Sequence, residues 1–176
     1  MMFDKILVAL DPVEPDINLF KKALTMAQAA NADLLLLSVL TADGDGVFLL
    51  ANPQVVGHTH ALHDWNFFQE RYRKYQERAL DMLQSFTDKA TAAEVRANFI
   101  QASGSPGREI CKIAKTQQAD LVMVGSRGYR GLDEMLLGSA SNYVMHHAPC
   151  SVLVVHSQKG DEPRTEAAES EAFSTV

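Results

Sequence analysis

The residues with most chemical potential lie between Val124 and Ser139, where the chain reads Val124-Gly125-Ser126-Arg127-Gly128-Tyr129-Arg130-Gly131-Leu132-Asp133-Glu134-Met135-Leu136-Leu137-Gly138-Ser139. A phosphate chain must be met by several N–H donors, and main-chain donors approach closest where no Cβ intervenes. Gly125 and Gly128 are free to take positive φ and to turn amides toward one concavity. Gly138 and Ser139 stand at a predicted helix start, whose unpaired N–H groups and positive dipole end favour an anion. Ser139 and Ser141, on either side of Ala140, add hydroxyls that can donate to phosphate oxygens, and Asn142 follows one turn in. Glycines after a strand also make plain tight turns. Small residues at both ends of one segment favour the anion site.

A second polar group opens the chain's first loop, Asp11-Pro12. A carboxylate there can accept both hydroxyls of a ribose, coordinate a metal, or cap the first helix. Arg127 and Arg130 have two readings, contact with phosphates or a place on the surface. His58, His60 and His63 form a His-x-His-x2-His cluster, but metal binding needs converging ligands with a supporting shell, so solvated loop histidines are expected. His146 and His147 end a helix, where positive charge complements the dipole. No nucleophile–base–orienter set is legible, and any ATPase or autophosphorylation activity is expected to be slow.

The elements that must position these groups are readable from periodicity. Ile6–Leu10 is a short buried strand, and Ile17, Phe20, Leu24 and Ala27 form one face of a helix. Leu34–Leu40 is apolar nearly throughout, as expected for a strand covered on both sides. Thr41–Asp64 reads as a long loop. A long helix follows from about Trp65 to Lys89, with Trp65, Phe68, Tyr72, Tyr75, Ala79, Leu83 and Phe86 as a core-facing stripe rather than a base-stacking platform. Val95–Ile100 is a weaker strand. Ser105 and Pro106 then suit the cap and first turn of a helix over Gly107–Gln117. Leu121–Val124 is the fourth strand, Ser139 to His147 a helix, and Ser151–Val155 the fifth strand. Alternating strands and helices with right-handed crossovers make one open, doubly wound α/β sheet of five parallel strands, with helices on both faces. In such sheets ligands bind beyond the carboxyl ends of the strands. From Ser157 onward the composition suits a disordered tail, leaving residues 1–156 as one domain.

Composition narrows the function class. Of 176 residues, 47% are hydrophobic, enough for a real core in one domain. A formal charge of −6 with no dense Lys/Arg cluster argues against a nucleic-acid partner. The apolar run Ile6–Leu10 is too short for a signal segment, and no run is long enough to span a membrane, so a cytoplasmic protein is expected. Two cysteines, Cys111 and Cys150, are too few for a disulfide framework and are expected to be buried free thiols.

Taken together, these residues resemble the universal stress protein family, specifically its ATP-binding branch. The spacing Gly125-x2-Gly128-x9-Gly138-Ser139 is similar to that branch's nucleotide motif, and the resemblance extends through Phe3–Asp11, Ala119–Gly125 and His147–Val155, covering about residues 2–156. It implies a sheet order of 3-2-1-4-5, a homodimer often formed through the last strand, and ATP or its relatives ADP and AMP as ligand, with Mg²⁺ as a further candidate. By the same resemblance the ribose lies near Asp11 and Pro12, and the backbone of Val39 meets the adenine edge. Gly125, Arg127 and Gly128 lie near the ribose and α-phosphate, and Gly138, Ser139, Ala140 and Ser141 near the outer phosphates. The chain departs from the family pattern in its first loop, at Ser151, in the insertion over about 43–64 and in the tail.

Overall fold

The computed structural model describes residues 3–41, 61–126 and 138–156, the first eight of the second stretch by backbone alone. Five parallel strands, β1 (Lys5–Ala9), β2 (Asp33–Leu40), β3 (Ala97–Ser103), β4 (Leu121–Gly125) and β5 (Ser151–Val155), form one sheet in the order β3-β2-β1-β4-β5. Because the order reverses between β1 and β4, the crossovers on either side cover opposite faces. Helices α1 (Ile17–Ala30) and α2 (Ala61–Ala92) bury Leu19, Phe20, Ala27, Leu83 and Phe86 against Ile6, Val8, Leu34, Leu36 and Met123. Helices α3 (Pro106–Thr116) and α4 (Ser139–His147) bury Ile110, Ile113 and Val144 against Leu7, Leu35, Leu37, Val122 and Val124. Successive strand residues thus serve opposite cores, which explains why the central strands are apolar without alternation.

Side-chain and turn chemistry set the limits of the elements. Asp16 caps α1, its Oδ1 accepting from Asn18 N at 2.9 Å and Leu19 N at 3.0 Å. The buried stripe of α1 is rotated toward Leu19 and Ala23, which leaves Ile17 58% exposed rather than core-facing. Helix α2 begins at Ala61, ahead of the expected start, because nothing between Ala61 and Trp65 breaks a helix. Its far end closes through Glu94 at φ 61° and a bond from Val95 N to Ala90 O of 3.0 Å. Val95 is therefore part of that closure, and β3 starts two residues later than the apolar pattern suggests. Ser105 sits at the α3 cap position without a side-chain bond, followed by Pro106 in the first turn. At the amino end of the sheet, Asp120 Oδ2 accepts from Asp4 N and Lys5 N at 2.9 and 2.8 Å.

Within the buried stretch of β2, Leu34–Leu40, the polar exception is Ser38, fully buried, whose Oγ has no partner among the described residues. A buried hydroxyl without a partner loses its hydration and recovers nothing. Ser38→Ala is expected to stabilise the protein by about 1 kcal/mol, read as a higher urea midpoint at unchanged slope. A lower midpoint would mean that the hydroxyl is satisfied.

Candidate functional site

The carboxyl edge of the sheet is notched at its centre. β1 ends at Ala9, registered with Leu37, and Leu10 N makes a last bond to Leu37 O of 2.8 Å. Backbone polarity alternates along a strand, so Val39, two residues on, directs its N–H and C=O to the same side as Leu37. Among the described residues no residue of β1 stands opposite to receive them. On the other side of the notch β4 continues to Gly125, registered with Val155 on β5. Ser126 N donates to Val155 O at 2.8 Å, so the Gly125 carbonyl, across the same peptide, points back toward the notch.

Helix α4 rises at this edge. Gly138 N donates to Ser126 O at 2.9 Å, and Ser141 Oγ donates to the Gly125 carbonyl. Asn142 N finds the Gly138 carbonyl at 2.9 Å. The N–H groups of Ser139, Ala140 and Ser141 precede the first helical bond, and Gly138 supplies no side-chain cap. No acidic residue stands in the first turn to offset the dipole. Three uncapped amides thus gather at the rim of the notch, while His146 and His147 occupy the opposite end of the helix, as expected. His147 Nδ1 donates to Tyr143 O at 2.9 Å, and its ring stacks on Tyr143 at 4.0 Å.

The third wall is the loop after β1. Asp11 does not cap α1, a task that falls to Asp16. The Asp11 Oδ1 accepts from Val13 N at 2.7 Å and Glu14 N at 3.1 Å, a local turn that holds the carboxylate through one oxygen and does not use Oδ2. Pro12 is the next residue of that turn. Beside it Thr41 follows β2; burial pushes the Tyr75 phenol above its ordinary range, against the lowering effect of hydrogen bonding by the Thr41 backbone and side chain.

Several sequence expectations are corrected here. Gly125 does not take positive φ; it is the last, extended residue of β4, and Gly104, at φ 141°, is the positive-φ glycine among the described residues. The amide of Gly138 is engaged by Ser126, and the Ser141 hydroxyl by Gly125, so neither is free to donate to a phosphate. Ser141 retains its main-chain amide for that purpose. Val39 keeps its place at the edge. Arg127, Gly128 and Arg130 lie outside the described residues, as do His58 and His60; His63 is known by its backbone in α2. Cys111 and Cys150 are free and half-buried, and burial pushes both thiols above the ordinary cysteine range. Thr41 and the Tyr75 hydroxyl were not among the sequence candidates. Helical spacing accounts for the Tyr75 ring and is silent about its oxygen.

A doubly wound parallel sheet with its notch at the strand-order reversal defines a class of α/β proteins that bind ligands at that edge. The chain belongs to the universal stress protein family, whose model matches residues 2–156. It is 34% identical to universal stress protein Sll1388 of Synechocystis over 88% of this chain and 99% of that protein. It is also 32% identical to universal stress protein YxiE of Bacillus subtilis, over 88% and 99% of the two chains. Solved structures share the fold. Protein MJ0577 superposes with a TM-score of 0.66 at 24% identity, covering 91% of this chain and all of that one (100%). An Arabidopsis thaliana family protein solved with AMP bound gives 0.58 at 21% identity, covering 89% and 93%. A universal stress protein in complex with cAMP gives 0.57 at 21% identity, covering 88% and 97%. Among the described residues no helix is long and apolar enough to cross a membrane.

Proposed function

We propose that this chain is a cytoplasmic stress-response or signalling module of the ATP-binding branch, which holds ATP, or ADP or AMP, in the notch above β1. The observation that carries the reading is a β2 backbone that runs past the end of β1 to Val39 on one side of the notch, with the uncapped amides of α4 beyond β4 on the other. An adenine presents a donor and an acceptor along one edge, which a free C=O and N–H on one strand can match. The ribose hydroxyls then donate to Asp11 Oδ2 beside Pro12. The phosphates run past Gly125, Arg127 and Gly128 to the amides of Ser139, Ala140 and Ser141, with Gly138 keeping the approach clear of a side chain. Structural neighbours solved with AMP or cAMP support an adenine ligand. Mg²⁺ is a further candidate that would accompany the phosphates.

Occupancy acts by favouring one of two conformations, and so changes dimer or partner contacts. The homodimer surface we favour is β5, a sheet edge where Val152, Leu153 and Val154 are only partly buried. Hydrolysis is slow at most.

Calorimetric titration with ATP, ADP and AMP, together with native mass spectrometry of the purified protein, tests the reading. If the phosphates reach α4, affinity rises with each phosphate and falls with added salt. Equal affinity for all three removes the helix contact. No binding, and no co-purifying nucleotide, makes the protein a ligand-free interaction module.

A further inference from the structure

Helix α2 meets the sheet through two apolar clusters that do not join. Toward the amino edge, Leu83, Phe86 and Ala90 belong to the main core with Leu34 and Leu36, and Phe86 stacks on Phe20 with ring centroids 4.4 Å apart. Toward the carboxyl ends of β2 and β3, Tyr75 and Ala79 bury Leu40 in a small separate cluster, with Tyr72 against it. Alternate residues of β2 face the same side, so Ser38 stands between Leu36 and Leu40 on the face that α2 covers. Its register partner on β3 is Gln101, whose Nε2 donates to Gln76 O at 3.0 Å. Ser38 Oγ is fully buried and has no partner among the described residues. A polar seam thus crosses the floor beneath α2 and divides its attachment in two. Ahead of the seam, the small cluster is supplemented by polar ties: the Gln101 bond, and the Tyr72 hydroxyl 3.4 Å from Ser103 Oγ.

We infer that the part of α2 up to Ala79 opens and closes as a unit of its own, and that this is the two-state element on which nucleotide occupancy acts. Its coupling to a ligand rests on the adenine-nucleotide reading; the opening itself does not. Closure seals the Ser38 hydroxyl from water with nothing in exchange, and opening rehydrates it, so the closed form carries a standing penalty. Little apolar area opposes this opening, whereas beyond the seam the whole main core does. Leu40 lies between Val39 and Thr41, so a base held on the Val39 backbone fixes the floor on which Tyr75 and Ala79 rest. Occupancy therefore favours the closed form, and the empty protein exposes Leu40, Tyr72 and Tyr75 more often.

Native-state hydrogen exchange of the full-length protein, read amide by amide by NMR, tests this. Without nucleotide, residues 72–79 are expected to share one opening free energy, a step below that of residues 83–90. Phe86→Leu weakens the main core and should speed exchange at 83–90 on the order of tenfold while leaving 72–79 unmoved. Equal acceleration of both stretches would mean that α2 opens only with the whole molecule, which overturns the inference. Ser38→Ala should slow exchange at 72–79 roughly fivefold, the worth of one desolvated hydroxyl, and no slowing there overturns the seam as its cause. Saturating ATP should protect 72–79 along with 83–90, because the opened form holds the base poorly. ATP that protects 83–90 alone overturns the coupling and leaves the nucleotide site standing. A wild type that opens in two parts but binds no ATP removes the nucleotide reading and the coupling with it.

Discussion

Gly138→Val is expected to weaken ATP binding by on the order of 100-fold, about 2.7 kcal/mol, with the fold retained. Gly138 sits at φ −54° and ψ 149°, a region open to any L residue, so valine enters without backbone strain. Its amide already serves Ser126 O, and that bond survives the substitution. What changes is the space before the amides of Ser139, Ala140 and Ser141, where two methyl groups would meet the incoming phosphate oxygens. Valine is also a poorer cap than glycine, at a cost of about 1 kcal/mol in helix stability. Urea unfolding separates that loss from the calorimetric one. AMP should lose less than ATP, because fewer of its oxygens reach the helix. Unchanged ATP affinity would remove the phosphate from this end of α4.

Gly107→Ala carries the largest expected effect on stability, a loss of about 2 kcal/mol, the scale of an overpacked contact. In a helix the same change ordinarily gains up to about 1 kcal/mol, so the sign itself is diagnostic. A Cβ built on Gly107 would lie 2.7 Å from Tyr143 Cβ and 2.9 Å from two of its ring atoms. The Tyr143 Cβ is fixed to the α4 backbone, and its ring is stacked on His147, so neither can swing away cheaply. Helix α4 must shift as a body, carrying its amino end with it, and ATP affinity should fall alongside stability. A Tyr143→Gly background, which removes that Cβ as well as the ring, tests the contact: a Gly107→Ala change that no longer destabilises there assigns the loss to this pair. A Gly107→Ala protein more stable than wild type would mean the helices are farther apart than described.

The parts of the fold legible in the sequence were those governed by burial. Runs such as Leu34–Leu40 and Leu121–Val124 are apolar because residues of both parities face a core, and α4 and β5 fall where the pattern places them. The sheet order came from the family resemblance, since periodicity does not say which strands are neighbours. Misreadings arose where short polar groups choose among local partners. Asp11 and Asp16 are equally good caps by type, and only the chain's path decides that Asp16 takes α1. The Ser141 hydroxyl looked available because nothing in Ser-Ala-Ser reveals a carbonyl waiting at Gly125. The reach of Val39 beyond β1 depends on where β1 stops relative to β2, a matter of register with no signature in residue type.

The bond from Gly138 to Ser126 has a consequence for how such a protein diversifies. Ser126 and Gly138 are clasped at 2.9 Å, so the connection between them is closed by the scaffold itself. Doubling a ring's length costs only about 0.6 kcal/mol in closure entropy. The segment can accordingly be lengthened, shortened or exchanged with little penalty to the scaffold, and a new appetite for ligand can be grafted while the parallel sheet below keeps its register.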